Sequence, residues 1–186
     1  DNIEIITCNN NFKSKFKKNI KFIGTKNKFW NNCNKKIKYI ICLSILFKKL
    51  FFKKDKTLVF AFQANIYAIL VAKLLNTKII TRSNTAPAGW SKNILKFFLY
   101  KIFLGFADDI MVNSLEFQKS FKKKFNIYPK CIYNPFDKNF INFFLKKKEK
   151  IRFFKKDYLN LISVGRLHDQ KDHITLLKSM NLLKKN

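Results

Sequence analysis

The chain has 186 residues, room for one domain with a sizeable core or for one domain and a piece of another. An apolar content of 47%, rich in Phe and Ile, excludes a disordered polycation. The formal net charge is +28, but Arg stands only at Arg82, Arg152 and Arg166, which argues against a specific nucleic-acid reader, because such proteins lean on Arg for bidentate contacts.

Strands and helices alternate from the first residues. Ile3–Thr7 reads as a strand and Ile20–Ile23 as a second short one. Lys35–Phe52 is a long apolar helix with Lys on its exposed positions. Thr57–Phe62 is a strand, Asn65–Leu75 a helix and Lys78–Thr81 another strand. Ser83–Trp90 holds Pro87 and Gly89 and is a loop. A helix over Ser91–Gly105 ends at a glycine, Asp109–Val112 is a strand, and Ser114 is placed to cap a helix that runs to about Phe125. Lys130–Tyr133 is a further strand, stopped by Asn134 and Pro135. Asp137–Asp157, with Lys-rich runs around isolated aromatics, breaks the pattern and reads as a connection between domains. The alternation predicts an α/β fold with a parallel, doubly wound sheet over residues 1–136, a connection over 137–157 and the start of a second domain over 158–186.

That second start is the most specific part of the chain. Leu159–Val164 is a short apolar, β-favouring run that stops at Gly165, and after Lys171 apolar residues recur mostly at helical spacing. The segment reads strand, tight turn, helix. Gly165 permits a turn that a side chain would obstruct. Arg166 leaves the strand end, Lys171 sits just before the helix, and Asp169 or Asp172 can cap it. A helix N-terminus has unpaired N–H groups and partial positive charge, so two cations beside it suit a diphosphate. An ordinary βα unit with solvated cations would carry the same two residues.

The full string V-G-R-L-x-x-Q-K-D-H-x-x-L-L resembles the opening of the C-terminal domain of retaining glycosyltransferases of family 4, which have the GT-B fold. The resemblance implies that Arg166 and Lys171, with Gly165 at the turn, grip the diphosphate of a nucleotide-sugar donor. The strand-helix-strand run from Thr57 to Asn84, and the segments D-D-I-M-V-N-S-L-E-F-Q-K-S-F and C-I-Y-N-P-F-D, resemble the rest of that family's Rossmann-like N-terminal domain. Before Thr57 the likeness rests mainly on layout. Two of the family's features are not found: the glycine-rich loop after the first strand, and the paired glutamates (E-x7-E) that serve donor sugar and ribose. The chain is therefore expected to be an internal fragment, inactive alone, of an enzyme transferring a sugar from a nucleotide-diphosphate sugar to an acceptor hydroxyl. The family's setting implies bacterial cell-surface polysaccharide or glycolipid synthesis, a lipid-linked or polysaccharide acceptor, and no cofactor beyond the donor substrate.

In α/β sheets ligands bind beyond the carboxyl ends of the strands. By that rule Gln63, Asn65, Arg82, Ser83 and Asn84 face the cleft on the acceptor side, unless Arg82 is merely paired to a carboxylate in a structural loop. Asn134 and Pro135 read as hinge-forming. His168 and His173 lie five apart without further ligands at zinc spacing, so no metal site is expected. No P-loop and no G-x-G-x-x-G fingerprint occurs. The cysteines, Cys8, Cys33, Cys42 and Cys131, show no C-x-x-C spacing and read as reduced, mostly buried thiols of a cytoplasmic protein. The N-terminus shows no signal-peptide pattern. Tyr39–Phe47 is apolar but far short of the roughly 20 residues needed to cross a bilayer. Lys alternates with Phe in Phe12–Lys18 and Lys48–Lys54, a surface suited to anionic lipid at the inner face of the plasma membrane, or simply a solvated helix face. Lys, Asn, Ile and Phe are also residues that AT-rich codons favour, so bias accounts for much of the charge. The rival readings are a non-catalytic basic α/β protein that binds membrane or nucleic acid, and another GT-B-like enzyme such as a sugar-nucleotide epimerase.

Overall fold

The computed structural model describes residues 2–8, 16, 19–24, 30, 33–53, 56–85, 87, 94–146 and 158–185. The chain divides into two units, Asp1–Pro135 and Phe136–Asn186. Most of Phe12–Lys18, Lys54, much of the loop before Trp90, the first turn expected of the helix from Ser91, and residues 147–157 of the connection lie outside the described residues.

In the first unit two short strands, β1 (Glu4–Ile6) and β2 (Lys21–Ile23), pair in parallel. Four more, β3 (Leu58–Ala61), β4 (Lys78–Ser83), β5 (Asp109–Val112) and β6 (Lys130–Cys131), form a second parallel sheet in the order β3-β4-β5-β6. The connections carry α1 (Lys35–Phe51), α2 (Asn65–Leu74), α3 (Ile94–Gly105) and α4 (Leu115–Phe125). The expected α/β alternation with parallel pairing is thus what the chain forms, an arrangement compatible with a Rossmann-like domain. The four-stranded order runs without reversal.

Local chemistry sets the ends of these elements. Asn34 caps α1 by accepting from the Lys36 N–H at 3.2 Å, and Lys48 and Lys49 sit in its last turn, where the helix dipole favours cations. Ser114 caps α4 as expected, accepting from the Phe117 N–H at 3.1 Å. Asn126 ends that helix in the left-handed conformation that Asn tolerates. β4 runs two residues past the expected Thr81, because Arg82 and Ser83 still pair with Met111 and Val112.

The core follows from strand alternation. Ile79, Thr81 and Ser83 of β4, with Ile110 and Val112 of β5, put buried side chains on one face. Leu50 of α1, Ala61 of β3, Ala68, Ile69 and Ala72 of α2, Leu104 of α3, and Phe121 and Phe125 of α4 join Ile79, Ile110 and Val112 in the hydrophobic cluster. Phe97 of α3 stacks on Phe125 at 5.3 Å between centroids. At the amino edge of the sheet, Asp108 accepts from the Ile79 N–H at 2.7 Å and from Lys73 Nζ at 2.6 Å, tying α2, β4 and β5 together.

Two differences from the sequence reading concern the second unit. Its connection is not irregular throughout, since Lys138–Lys146 forms a helix, α5. The apolar residues there recur at helical spacing, a pattern that the surrounding Lys runs hide. Residues 159–164 lie in no ladder, so the expected strand is not formed. A strand is stable only beside a partner, and none of the described residues of this unit supplies one. The helix that follows Gly165 is present as α6 (His173–Lys185), entered through a 3-10 turn at Asp169–Lys171. Among the described residues of this unit only His173 is less than exposed.

All four cysteines are free thiols, and only Cys8 is buried. Its Sγ lies 3.5 Å from that of Cys42. Burial, then the neighbouring Cys8 thiol, push the Cys42 thiol up to about 12. Thiolate is the reactive form, so Cys42 should stay inert at about pH 8 while the protein is folded. Ellman's reagent is expected to react with it only after urea unfolding; equal fast rates for all four thiols in the native protein would contradict this packing. Among the described residues no helix is long and apolar enough to cross a membrane.

Candidate functional site

At the carboxyl edge of the four-stranded sheet the structure gathers several of the expected residues. Arg82 is the hub. Its Nη2 donates to Asn134 Oδ1 at 2.8 Å and to the Ile132 carbonyl at 3.1 Å, and its Nε donates to Asn84 Oδ1 at 3.3 Å. Each of these partners is a neutral oxygen, and among the described residues no carboxylate pairs with Arg82. The acids of the sheet sit at the opposite edge, where Asp108 pairs with Lys73 and Asp109 with Lys130 at 2.7 Å.

Asn65, the first residue of α2, donates from Nδ2 to the Arg82 carbonyl at 3.0 Å, while its Oδ1 is buried with no partner among the described residues. Gln63 is exposed beyond β3 and accepts from the Tyr39 hydroxyl at 3.4 Å. Ser83 is placed differently: it is buried, and its hydroxyl donates to the Thr85 carbonyl at 3.1 Å. Consecutive strand residues face opposite sides, so Arg82 and Ser83 cannot share one surface.

Three features of this edge escaped the sequence reading. Asn113, directly after β5, has a buried Oδ1 without a partner among the described residues. The strand-end rule that picks out Asn84 reaches Asn113 as readily. Asn134 is an Arg82 partner rather than a hinge residue alone. Ala64, between Gln63 and Asn65, is held at φ 53°, ψ 33°, the left-handed region, and offers α2 no side-chain cap. A non-glycine residue there costs about 1–2 kcal/mol, and glycine gives back about 0.4–1 kcal/mol through the unfolded chain. Ala64→Gly should therefore raise stability by roughly 0.5–1 kcal/mol, seen as a higher urea midpoint. A lower midpoint would show that the strain is compensated locally.

The second unit holds the other expected residues. Gly165 has no positive φ, so its backbone conformation does not itself require glycine. A Cβ there would meet Lys171 Cγ at 3.3 Å and His173 Nε2 at 3.5 Å. His173 Nε2 lies 3.2 Å from the Arg166 carbonyl, and the Lys171 N–H donates to the His168 carbonyl at 2.8 Å. The loop is thereby folded onto the start of α6. Asp172 rather than Asp169 caps that helix, accepting from the Thr175 N–H at 3.3 Å. Gly165, Arg166 and Lys171 thus belong to one turn, and among the described residues neither cation has an acidic partner.

No group of His, Cys, Asp and Glu suited to a metal ion occurs among the described residues. A groove of about 350 Å³ lined by Ile40, Leu43, Ser44, Phe47 and Val71 is apolar, and its one hydroxyl, Ser44, donates to the Ile40 carbonyl at 3.0 Å. It has no group left to orient a polar ligand. Compared with known proteins, the chain matches no family model and no curated protein.

Proposed function

We propose that the chain is the acceptor-side domain and the opening of the donor-side domain of a GT-B retaining glycosyltransferase. The reading rests on the string from Val164 to Leu177 and is supported by one observation above all. Lys171 lies beside Gly165, where a Cβ would come within 3.3 Å of its Cγ, so both cations of the motif belong to the turn that leads into α6. Two cations beside a helix N-terminus suit the diphosphate of a nucleotide sugar.

In the transfer, the bond from the anomeric carbon to the diphosphate oxygen breaks. The acceptor oxygen bonds to that carbon with retention, and the acceptor's proton leaves with the diphosphate. Arg166 and Lys171 neutralise charge that grows on the departing group, an effect largest where donors are already in place. Arg82, at the carboxyl edge of its sheet and without an acidic partner among the described residues, suits an acceptor that carries phosphate or carboxylate. Asn65 Oδ1 and Asn113 Oδ1 are acceptors that suit hydroxyl-bearing groups.

The direct test supplies the full-length enzyme with UDP-, GDP- and ADP-sugars and follows nucleoside diphosphate release with and without candidate acceptors. Release from at least one donor is expected. A full-length protein that binds DNA or anionic lipid in a salt-dependent way, but neither binds nor cleaves any donor, would favour the non-catalytic basic protein.

A further inference from the structure

On the donor-site reading above, we propose that His173 is the positioning residue of the turn. Its ring, protonated on Nε2, clasps the main-chain carbonyl of Arg166 and so sets where the two cations of the motif stand. Among the described residues of this unit, His173 alone is less than exposed. Its Nε2 lies 3.2 Å from the Arg166 carbonyl oxygen, seven residues back along the chain. A carbonyl oxygen can only accept, so the proton of a neutral ring must sit on Nε2. The same nitrogen lies 3.5 Å from where a Gly165 Cβ would stand, and Lys171 Cγ lies 3.3 Å from that point. The imidazole and the lysine stem therefore meet over one backbone position.

The other bonds of the turn do not hold Arg166. The Lys171 N–H donates to the His168 carbonyl at 2.8 Å and the Asp172 N–H to the Asp169 carbonyl at 3.1 Å, so the 3-10 turn closes only as far back as His168. Asp172, at φ 45°, lies in the left-handed region that Asp tolerates and breaks the helical path just before α6. Across that break, the His173 ring is what ties the Arg166 backbone to the helix start among the described residues. Without the clasp, a diphosphate would have to order the turn as it binds, and affinity would fall accordingly. Leu in place of His173 keeps bulk and loses the donor, whereas the amide nitrogen of Gln reaches about as far as Nε2 and restores it.

The test titrates the isotope-labelled chain with UDP, GDP and ADP as wild type, His173→Leu and His173→Gln. For the nucleotide that wild type binds best, His173→Leu should raise Kd about tenfold, the worth of one hydrogen bond. His173→Gln should return Kd to within about threefold of wild type. Amides from Thr175 onward should keep their wild-type positions in both variants, and the neutral wild-type ring should show its proton on Nε2 in nitrogen–proton correlation spectra. Undiminished binding by His173→Leu would overturn the positioning role, and so would a His173→Gln variant that binds no better than His173→Leu. A proton on Nδ1, or a His173→Leu variant whose α6 amides are lost, would overturn it as well. Wild type that binds none of the nucleotides would sink the donor reading itself, and the role of His173 with it.

Discussion

On the proposed function, removing the charge at Arg166 or Lys171 is expected to lower sugar transfer by about 100- to 1,000-fold each, the size of effect seen when one well-placed donor is lost from a developing anion. The informative substitutions separate charge from packing. Lys171→Met keeps the stem that lies on Gly165 and removes only the ammonium. Arg166→Lys keeps the charge and removes the fork, so it should fall between wild type and Arg166→Ala. Arg166 and Lys171 are exposed, so none of these variants should alter unfolding noticeably. The loss should fall on kcat more than on KM, because the extra charge exists mainly in the transition state. Near-normal transfer by both charge-removing variants would sink the assignment.

The largest expected stability effect away from the core is at Asp108. Asp108→Ala strips the acceptor from the Ile79 N–H, which belongs to a residue with no solvent exposure. An orphaned buried donor costs about 1–3 kcal/mol. The Lys73 ion pair adds less, because both side chains are about one-third exposed and water screens them; such pairs contribute about 0.2–1 kcal/mol. The Lys73 ammonium, then the Ile79 N–H, hold the Asp108 carboxyl below its ordinary value of 3.8. A depressed folded value means that the stabilisation is complete above 3.8 and is lost as pH falls through the lower folded value. Urea midpoints should therefore separate wild type from Asp108→Ala at about pH 6 and converge in the acid range below 3.8. A difference that persisted unchanged into that range would mean that the carboxylate is not what holds the edge.

Much of the first unit was legible because its elements obey local rules that tertiary contacts then reinforce. β5 and α4 are marked by an apolar run and a Ser cap, and the same residues do that work in the fold. β4 was read too short because Arg82 and Ser83 are polar, although backbone pairing does not ask for apolar side chains. Ser83 was read toward the cleft because a strand-end rule names residues without their side of the sheet. Neither the left-handed backbone at Ala64 nor the partners of Arg82 can be read from residue types, since both depend on where β4, β6 and α2 end. In the second unit the helix signal after Lys171 survived, while the run before Gly165 remained unpaired. A strand's apolar pattern states what it could bury, and only a neighbour makes it a strand. α5 was missed for the opposite reason, its period of 3.6 being masked by the charge around it.

The turn at Gly165, Arg166 and Lys171, proposed to receive a nucleoside diphosphate, can be tested directly by one titration. The isotope-labelled chain is titrated with UDP, GDP and ADP to millimolar concentration while backbone amide resonances are followed, with inorganic phosphate as the control. The account predicts saturable shifts centred on Gly165, Lys171 and His173, stronger for at least one nucleotide than for phosphate and absent in Arg166→Ala with Lys171→Met. Amides of this turn that stay in place for all three nucleotides, while other basic segments respond to each anion alike, would contradict it.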